Sequence, residues 1–312
     1  MKLNYLWNKK LFKISIITLC VLIVTSCFKR KDKNNDYEIV IDEQYELYKP
    51  LNTPKGVLIL FGGFPEKAKD IKVEFDIIDI AIKNRIAVMF TNFNQMLWLE
   101  DKEKKQIGDF IETAIISNNL PNENIYFGGF SSGGNVALSI TEFLINQPNL
   151  KIKPKGVFII DSPLDLQALY NTSLNNIKMN VSKISVRESN WIIQILESRF
   201  DKPSINISNY QQYSIFNHQT NYTKHFDSLK NIKLRFYTEP DLQWWLKNRN
   251  TEYRELNAFY IKELSQELIH KGYNNLEYIE TSNQGYRANG ERHPHSWSIV
   301  NKKDLLNWIL EY

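Results

Sequence analysis

Ile125-Tyr126-Phe127-Gly128-Gly129-Phe130-Ser131-Ser132-Gly133-Gly134-Asn135-Val136-Ala137-Leu138 is the stretch from which the rest of the chain is read. It opens on an apolar run suited to a buried strand and closes on a segment of helical spacing through Val136, Ile140, Phe143 and Leu144. Between them, Gly129-Phe130-Ser131-Ser132-Gly133 fits the pattern G-x-S-x-G. A serine on so sharp a strand-to-helix turn is expected in strained backbone geometry, with glycines leaving room for close approach of neighbouring elements. The following helix start adds free N–H groups and a positive dipole end beside the hydroxyl. A phosphate-binding turn is the competing reading. The stretch lacks G-x-x-x-x-G-K-[ST], and its glycine spacing does not give G-x-G-x-x-G.

Outward from this turn, strand and helix alternate. Val57-Leu58-Ile59-Leu60-Phe61 and residues 86–90 read as strands buried on both faces, and residues 37–48 as one or two opening strands. Residues 70–83 and 103–117 carry helical spacing. Gly156-Val157-Phe158-Ile159-Ile160 is a further buried strand. The alternation lapses over residues 164–230, which are rich in Asn, Tyr, Gln and Ser and helical or irregular, notably at 185–200. That segment reads as an inserted cap over the C-terminal edge of the sheet. The pattern resumes with a strand at 233–237, a helix at 252–270, a strand at 276–279 and a final helix at 302–310. The expected fold class is α/β, a mostly parallel sheet with helices on both faces.

The stretch from Gly128 to Leu138 resembles the nucleophile elbow of the α/β-hydrolase superfamily. In element order the resemblance covers most of the chain from Val57 onward, although its specific motifs are few. It implies a serine–acid–histidine triad in that chain order, with Ser131 as nucleophile, and an oxyanion hole near the first buried strand. One oxyanion donor is then the backbone N–H of Ser132. Gly62-Gly63-Phe64-Pro65 is similar to the His-Gly-X turn of many hydrolases, with Gly62 where His is usual. By that match Phe64 supplies the second N–H and Gly63 is the next choice, since Pro65 has none.

The base implied is a histidine after the last strand. Of five histidines, His293 and His295 in Glu291-Arg292-His293-Pro294-His295-Ser296-Trp297 hold that position. His295-Ser296-Trp297 is similar to the His-x-Trp turn of esterases in this superfamily, which favours His295 and leaves His293 as the alternative. The acid is expected past the strand at 233–237, where Thr238-Glu239-Pro240-Asp241 offers Asp241 first and Glu239 second. Asp161, directly after an earlier strand, is a third candidate. Trp244, Trp245 and Trp297 flank these positions and could line a cleft, though packing is the commoner use of tryptophan.

Composition sets the remaining bounds. The formal net charge of +4, from 39 basic and 35 acidic residues, implies no nucleic-acid surface. His293-Pro294-His295 has no accompanying carboxylate or cysteine cluster, so no metal is expected, and the implied reaction needs no cofactor. Lys9, Lys10 and Lys13 precede an apolar run at 14–24, which is short for a membrane span and suited to a signal-peptide core. Val24-Thr25-Ser26-Cys27 resembles the bacterial lipoprotein box, with Val24 where Leu is usual. The resemblance implies cleavage before Cys27, lipidation of its thiol and residence at the bacterial cell envelope. Cys20 lies inside the apolar run, so the mature chain would keep one cysteine and form no internal disulfide. The expected organisation is a signal peptide at 1–26, a lipidated tether at 27–36 and one α/β-hydrolase domain at 37–312. The expected activity is hydrolysis of a carboxylic ester, the substrate being a small-molecule or acylated ester. A peptidase or acyltransferase on the same machinery, and a binding lipoprotein that has lost catalysis, are the alternatives.

Overall fold

A computed structural model describes residues 28–31, 36–93, 96–180 and 182–311. The apolar run at 14–24 and Cys27 lie outside the described residues.

Nine strands form one sheet: β1 (Phe28–Lys31), β2 (Tyr37–Ile41), β3 (Tyr45–Pro50), β4 (Gly56–Phe61), β5 (Ile86–Thr91), β6 (Ile125–Phe130), β7 (Pro154–Ile160), β8 (Lys233–Thr238) and β9 (Leu276–Glu280). Their order across the sheet is β1-β2-β3-β5-β4-β6-β7-β8-β9. The pairings β1–β2, β2–β3 and β3–β5 are antiparallel, and every pairing from β5 to β9 is parallel. β1 falls within the stretch expected to be a tether. Its backbone pairs with the otherwise open edge of β2, Phe28 opposite Ile41, where unpaired N–H and C=O groups favour an added strand.

The parallel strands are apolar on both faces, and period-two alternation assigns each face its own helices. Val57, Ile59 and Phe61 of β4 point to one side, with Phe127, Val157 and Phe236. There α3 (Asp101–Ser117), α4 (Ser132–Ile145) and α9 (Asn257–His270) supply Ile107, Ile111, Leu144, Ile261 and Leu264. Leu58 and Leu60 point the other way, with Val88, Tyr126 and Phe158, against α1 (Ala68–Glu74), α2 (Ile78–Lys83) and α10 (Lys302–Leu310). The single helix expected at 70–83 is thus two. Phe75 and Ile77 are both fully buried, and residues two apart on a straight helix lie roughly 200° around its axis, so they could not both face the core. Phe75 leaves helical dihedrals, at φ −113° and ψ 24°, and both side chains turn inward.

Between β7 and β8 the chain forms α5 (Leu166–Met179), α6 (Lys183–Phe200) and α7 (Ile207–Tyr213). These carry a small core of their own, built on Leu166, Tyr170, Leu196, Phe200 and Tyr210. One further helix, α8 (Leu242–Arg249), follows β8 and has no fully buried residue. A cavity of about 470 Å³ lies between the C-terminal ends of β4, β6, β7 and β8 and helices α5 and α6. Placing a cleft beyond the carboxyl ends of parallel strands is the general habit of such sheets.

Candidate active site

Ser131 sits alone between the last residue of β6 and the first of α4, at φ 52° and ψ −128°. A positive φ on a residue with a Cβ costs about 1–3 kcal/mol, and the surroundings hold it there. Its N–H donates to the Ile160 carbonyl at 2.9 Å. The glycines permit the turn by close approach: a Cβ on Gly133 would overlap the carbonyls of Phe61 and Gly62. A Cβ on Gly63 would come within 2.9 Å of the Ser131 Cβ, so the turn after β4 is packed directly on the serine.

That turn is fixed by Glu66. Its carboxylate accepts the Gly63 N–H at 2.9 Å and the Trp297 Nε1–H at 3.1 Å. Burial pushes the Glu66 pKa up, opposed by these two donors and by the nearby Arg287 guanidinium. With the Gly63 N–H engaged, Phe64 supplies the turn's donor toward the serine side. The Phe64 N–H donates to Ser132 Oγ at 3.1 Å. Ser132 opens α4, where a backbone N–H has no acceptor within the helix.

His295 lines the same cavity as Ser131, and its ring packs on Phe130 at 4.5 Å between centroids. The His295 Nδ1 meets Asp161 Oδ2 at 2.6 Å. Asp161 directly follows β7 at φ 46°, is 7% exposed, and its carbonyl accepts from Asn257 Nδ2 at 2.9 Å. The acid beside the histidine is therefore Asp161, the third candidate from sequence.

Asp241 and Glu239 are engaged elsewhere. Asp241 Oδ1 caps α8 through the Trp244 N–H at 3.0 Å, while Oδ2 pairs with Arg292 at 2.6 Å. Glu239, 2% exposed, pairs with Arg292 at 2.7 Å and accepts from Thr281 Oγ1 and the Gln284 and Gly285 N–H groups. The expectation of Asp241 as the histidine's partner fails because Arg292, three residues before His295, draws both acids onto the loop that carries the histidine.

His293 also lines the cavity but, among the described residues, has no carboxylate partner. Its ring packs on Trp244 at 4.7 Å, and its buried Nδ1 meets no hydrogen-bond partner among the described residues. Burial, then the neighbouring His295, Arg287 and Arg249, lowers its pKa to about 3, so it is neutral at ordinary pH. Trp245 lines the cavity, whereas Trp297 is fully buried beneath Phe130 and Phe75. Among the described residues no cluster of histidine, cysteine and carboxylate is placed to hold a metal.

Glu66, Arg287, Arg292 and Trp191 all shape this region and carry no motif by which sequence reasoning could find them. Trp191, on α6, stacks on Phe64 with centroids 4.2 Å apart and rings 19° from parallel. It ties the helices between β7 and β8 to the turn beside Ser131.

No protein-family model and no curated protein matches the chain. Solved structures match it in fold across nearly all of its length. One of two fungal esterases from Rhizomucor miehei superposes with a TM-score of 0.53 at 16% identity, covering 91% of this chain and 81% of that one. The substrate-bound fluorophosphonate-binding serine hydrolase F of Staphylococcus aureus gives 0.51 at 12% identity, covering 92% and 98%. An S-formylglutathione hydrolase from Agrobacterium tumefaciens gives 0.51 at 10% identity, covering 90% and 92%. The chain has the α/β-hydrolase fold.

Proposed function

We propose that this chain is a serine hydrolase acting on carboxylic esters. The observation that carries the reading is the 2.6 Å contact of His295 Nδ1 with Asp161, in a cavity whose floor holds Ser131 on a strained strand-to-helix turn. Asp161 fixes the tautomer with the proton on Nδ1, leaving Nε2 as the free base. Ser131 Oγ attacks the ester carbonyl carbon while Nε2 takes its proton. Asp161 stabilises the imidazolium, and the oxyanion accepts from the N–H groups of Ser132 and Phe64. An oxyanion is a stronger acceptor than a hydroxyl, so it displaces Ser132 Oγ from the Phe64 N–H. Collapse expels the alcohol, which leaves with the proton from His295. Water then repeats the cycle on the acyl-enzyme, giving up a proton to Nε2, and Ser131 recovers that proton as the acid departs.

Labelling by a fluorophosphonate tests this directly. Wild-type protein should label and Ser131→Ala should not. A folded wild-type protein that neither labels nor turns over any ester would leave a binding module on a hydrolase scaffold as the better account.

The proposed setting is a membrane surface. Lys9 to Lys13, the apolar run at 14–24 and Cys27 support a lipid-anchored envelope protein. Among the described residues no helix is long and apolar enough to cross a membrane. Cys27→Ser should release the protein from the membrane fraction or leave it unprocessed. Equal membrane association and gel mobility of wild type and variant would end that proposal.

A further inference from the structure

Apart from the histidines, the cavity above Ser131 is lined by two basic side chains, Arg249 and Arg287. Every lining carboxylate but one is already used. Asp161 holds His295, Glu239 holds Arg292, and Glu66 holds Gly63 and Trp297. Asp165 takes the N–H groups of Ala168 and His218, and Glu255 takes Asn175 and its own turn. Glu188 is the exception, and it is exposed.

The arginines are not used in this way. Among the described residues the arginines with ion pairs are Arg199, Arg235 and Arg292; Arg249 and Arg287, like Arg85, Arg187 and Arg254, have none, but these two line the cavity. Arg249 reaches the cavity from the last turn of α8 and donates one bond, to Ser182 Oγ at 3.2 Å. Arg287 lies over the Phe130 ring at 5.8 Å, and that ring packs on His295. Its guanidinium is thus one ring away from the proposed base. A partly buried guanidinium without an anion forgoes its strongest interaction, a forked bond to a carboxylate or phosphate. Glu66 feels the Arg287 guanidinium only through space, without an ion pair, so among the described residues neither arginine receives that forked bond, and a ligand entering the cavity can supply it.

We propose that Arg287, with Arg249 lining the same cavity, receives an anionic group on the substrate, so that the preferred esters carry a carboxylate within a few bonds of the scissile carbonyl. This rests on the serine-hydrolase reading of the same site. The neutral imidazole of His293 fits the proposal. It lies in the field of both arginines, adds no third charge, and leaves the anion's energy to the two guanidiniums. A hydrogen bond to a charged group is worth about ten- to a hundredfold in affinity or rate, so the effect is measurable.

The experiment uses the full-length protein in detergent and matched ester pairs. For the acyl side the pair is p-nitrophenyl butyrate and mono-p-nitrophenyl succinate. For the alcohol side it is phenyl acetate and 4-carboxyphenyl acetate. The readout is the ratio of kcat/KM for the anionic ester to that for its neutral partner. Wild type should favour the anionic member of one pair, which also says on which side of the ester the charge sits. Arg287→Gln should lower that ratio by about tenfold or more, and Arg249→Gln should lower it less. An unchanged ratio in both variants, or a wild-type preference for the neutral ester in both pairs, overturns the proposal.

Fluorophosphonate labelling of the same preparations separates the two levels. Labelled protein without charge preference refutes the anion site and leaves the hydrolase reading standing. If wild type does not label, binding of the amide analogues of the succinate and butyrate esters is measured by calorimetric titration. Tighter binding of the anionic amide, lost in Arg287→Gln, sustains the anion site without catalysis, and equal binding refutes it.

Discussion

Asp161 Oδ2 lies 2.6 Å from His295 Nδ1, although 134 residues separate them in the chain. The contact forms because β7 ends one residue before Asp161 and its positive φ turns the carboxylate across the sheet end toward the 285–296 loop. Asp161→Asn should therefore lower kcat by about three to four orders of magnitude, since an amide supports the wrong histidine tautomer. Asp241→Asn should cost far less in kcat, since Asn caps α8 as well as Asp does and the change removes only the charge facing Arg292, worth about 1 kcal/mol of stability or less. Kinetics beside urea midpoints decide it. A dead, stable Asp241→Asn with an active Asp161→Asn would restore the acid expected after β8.

The turn beside Ser131 gives a second prediction. Glu66 is a positioning residue: its carboxylate fixes the Gly63 N–H and so aims the neighbouring Phe64 N–H. Glu66→Ala should lower kcat by about tenfold to a hundredfold with KM little changed, the signature of an interaction felt in the transition state. Glu66→Gln keeps one acceptor oxygen and should recover much of the loss. Equal kcat in all three proteins would show that the turn holds its shape without this carboxylate.

How much of this was legible in the sequence follows from the range of the forces involved. The elbow was readable because strand, turn and helix are local, and G-x-S-x-G states the steric demand of one tight turn. The sheet was readable because strands buried on both faces leave unbroken apolar runs such as Val57 to Phe61. The acid was misplaced because an acid directly after β7 and another three residues past β8 both stand at strand ends on the same side of the sheet, and the spacing favoured the wrong one. Asp161 and Asp241 are separated only by where Arg292 reaches, which is a tertiary fact. The break at Phe75 was hidden for a related reason, since Phe75 and Ile77 are both apolar and only their burial shows that a straight helix could not serve both. Glu66 and Trp191 left no signal, because neither belongs to a spacing pattern.

The Phe64–Trp191 stack predicts local rather than global consequences. An aromatic pair is worth about 0.5–1.5 kcal/mol beyond its buried area, and Trp191 joins α6 to the catalytic turn through Phe64. Trp191→Ala should therefore speed proteolytic cleavage within 183–200 by roughly two- to tenfold, with a smaller change in the global urea midpoint. Unchanged cleavage would mean that the small core around Leu196 and Phe200 alone holds α6 in place.

His293 makes the last prediction, and its sign follows from the direction of its shift. Folding lowers its pKa from 6.5 to about 3, chiefly by burial. Between those values the unfolded chain binds a proton that the folded chain refuses. Its contribution is therefore fully present above about pH 6.5 and is lost as pH falls, at up to about 1.4 kcal/mol per pH unit. His293→Gln cannot titrate, so it should flatten the acid limb of the stability curve even if it lowers stability overall. Urea midpoints for both proteins at intervals from pH 7 to pH 4 measure this. Convergence of the two curves toward low pH is expected, because wild type loses stability faster. Curves that run parallel would show that the imidazole of His293 is protonated in the folded state as readily as in the unfolded one, and that its packing on Trp244 does not exclude the charge.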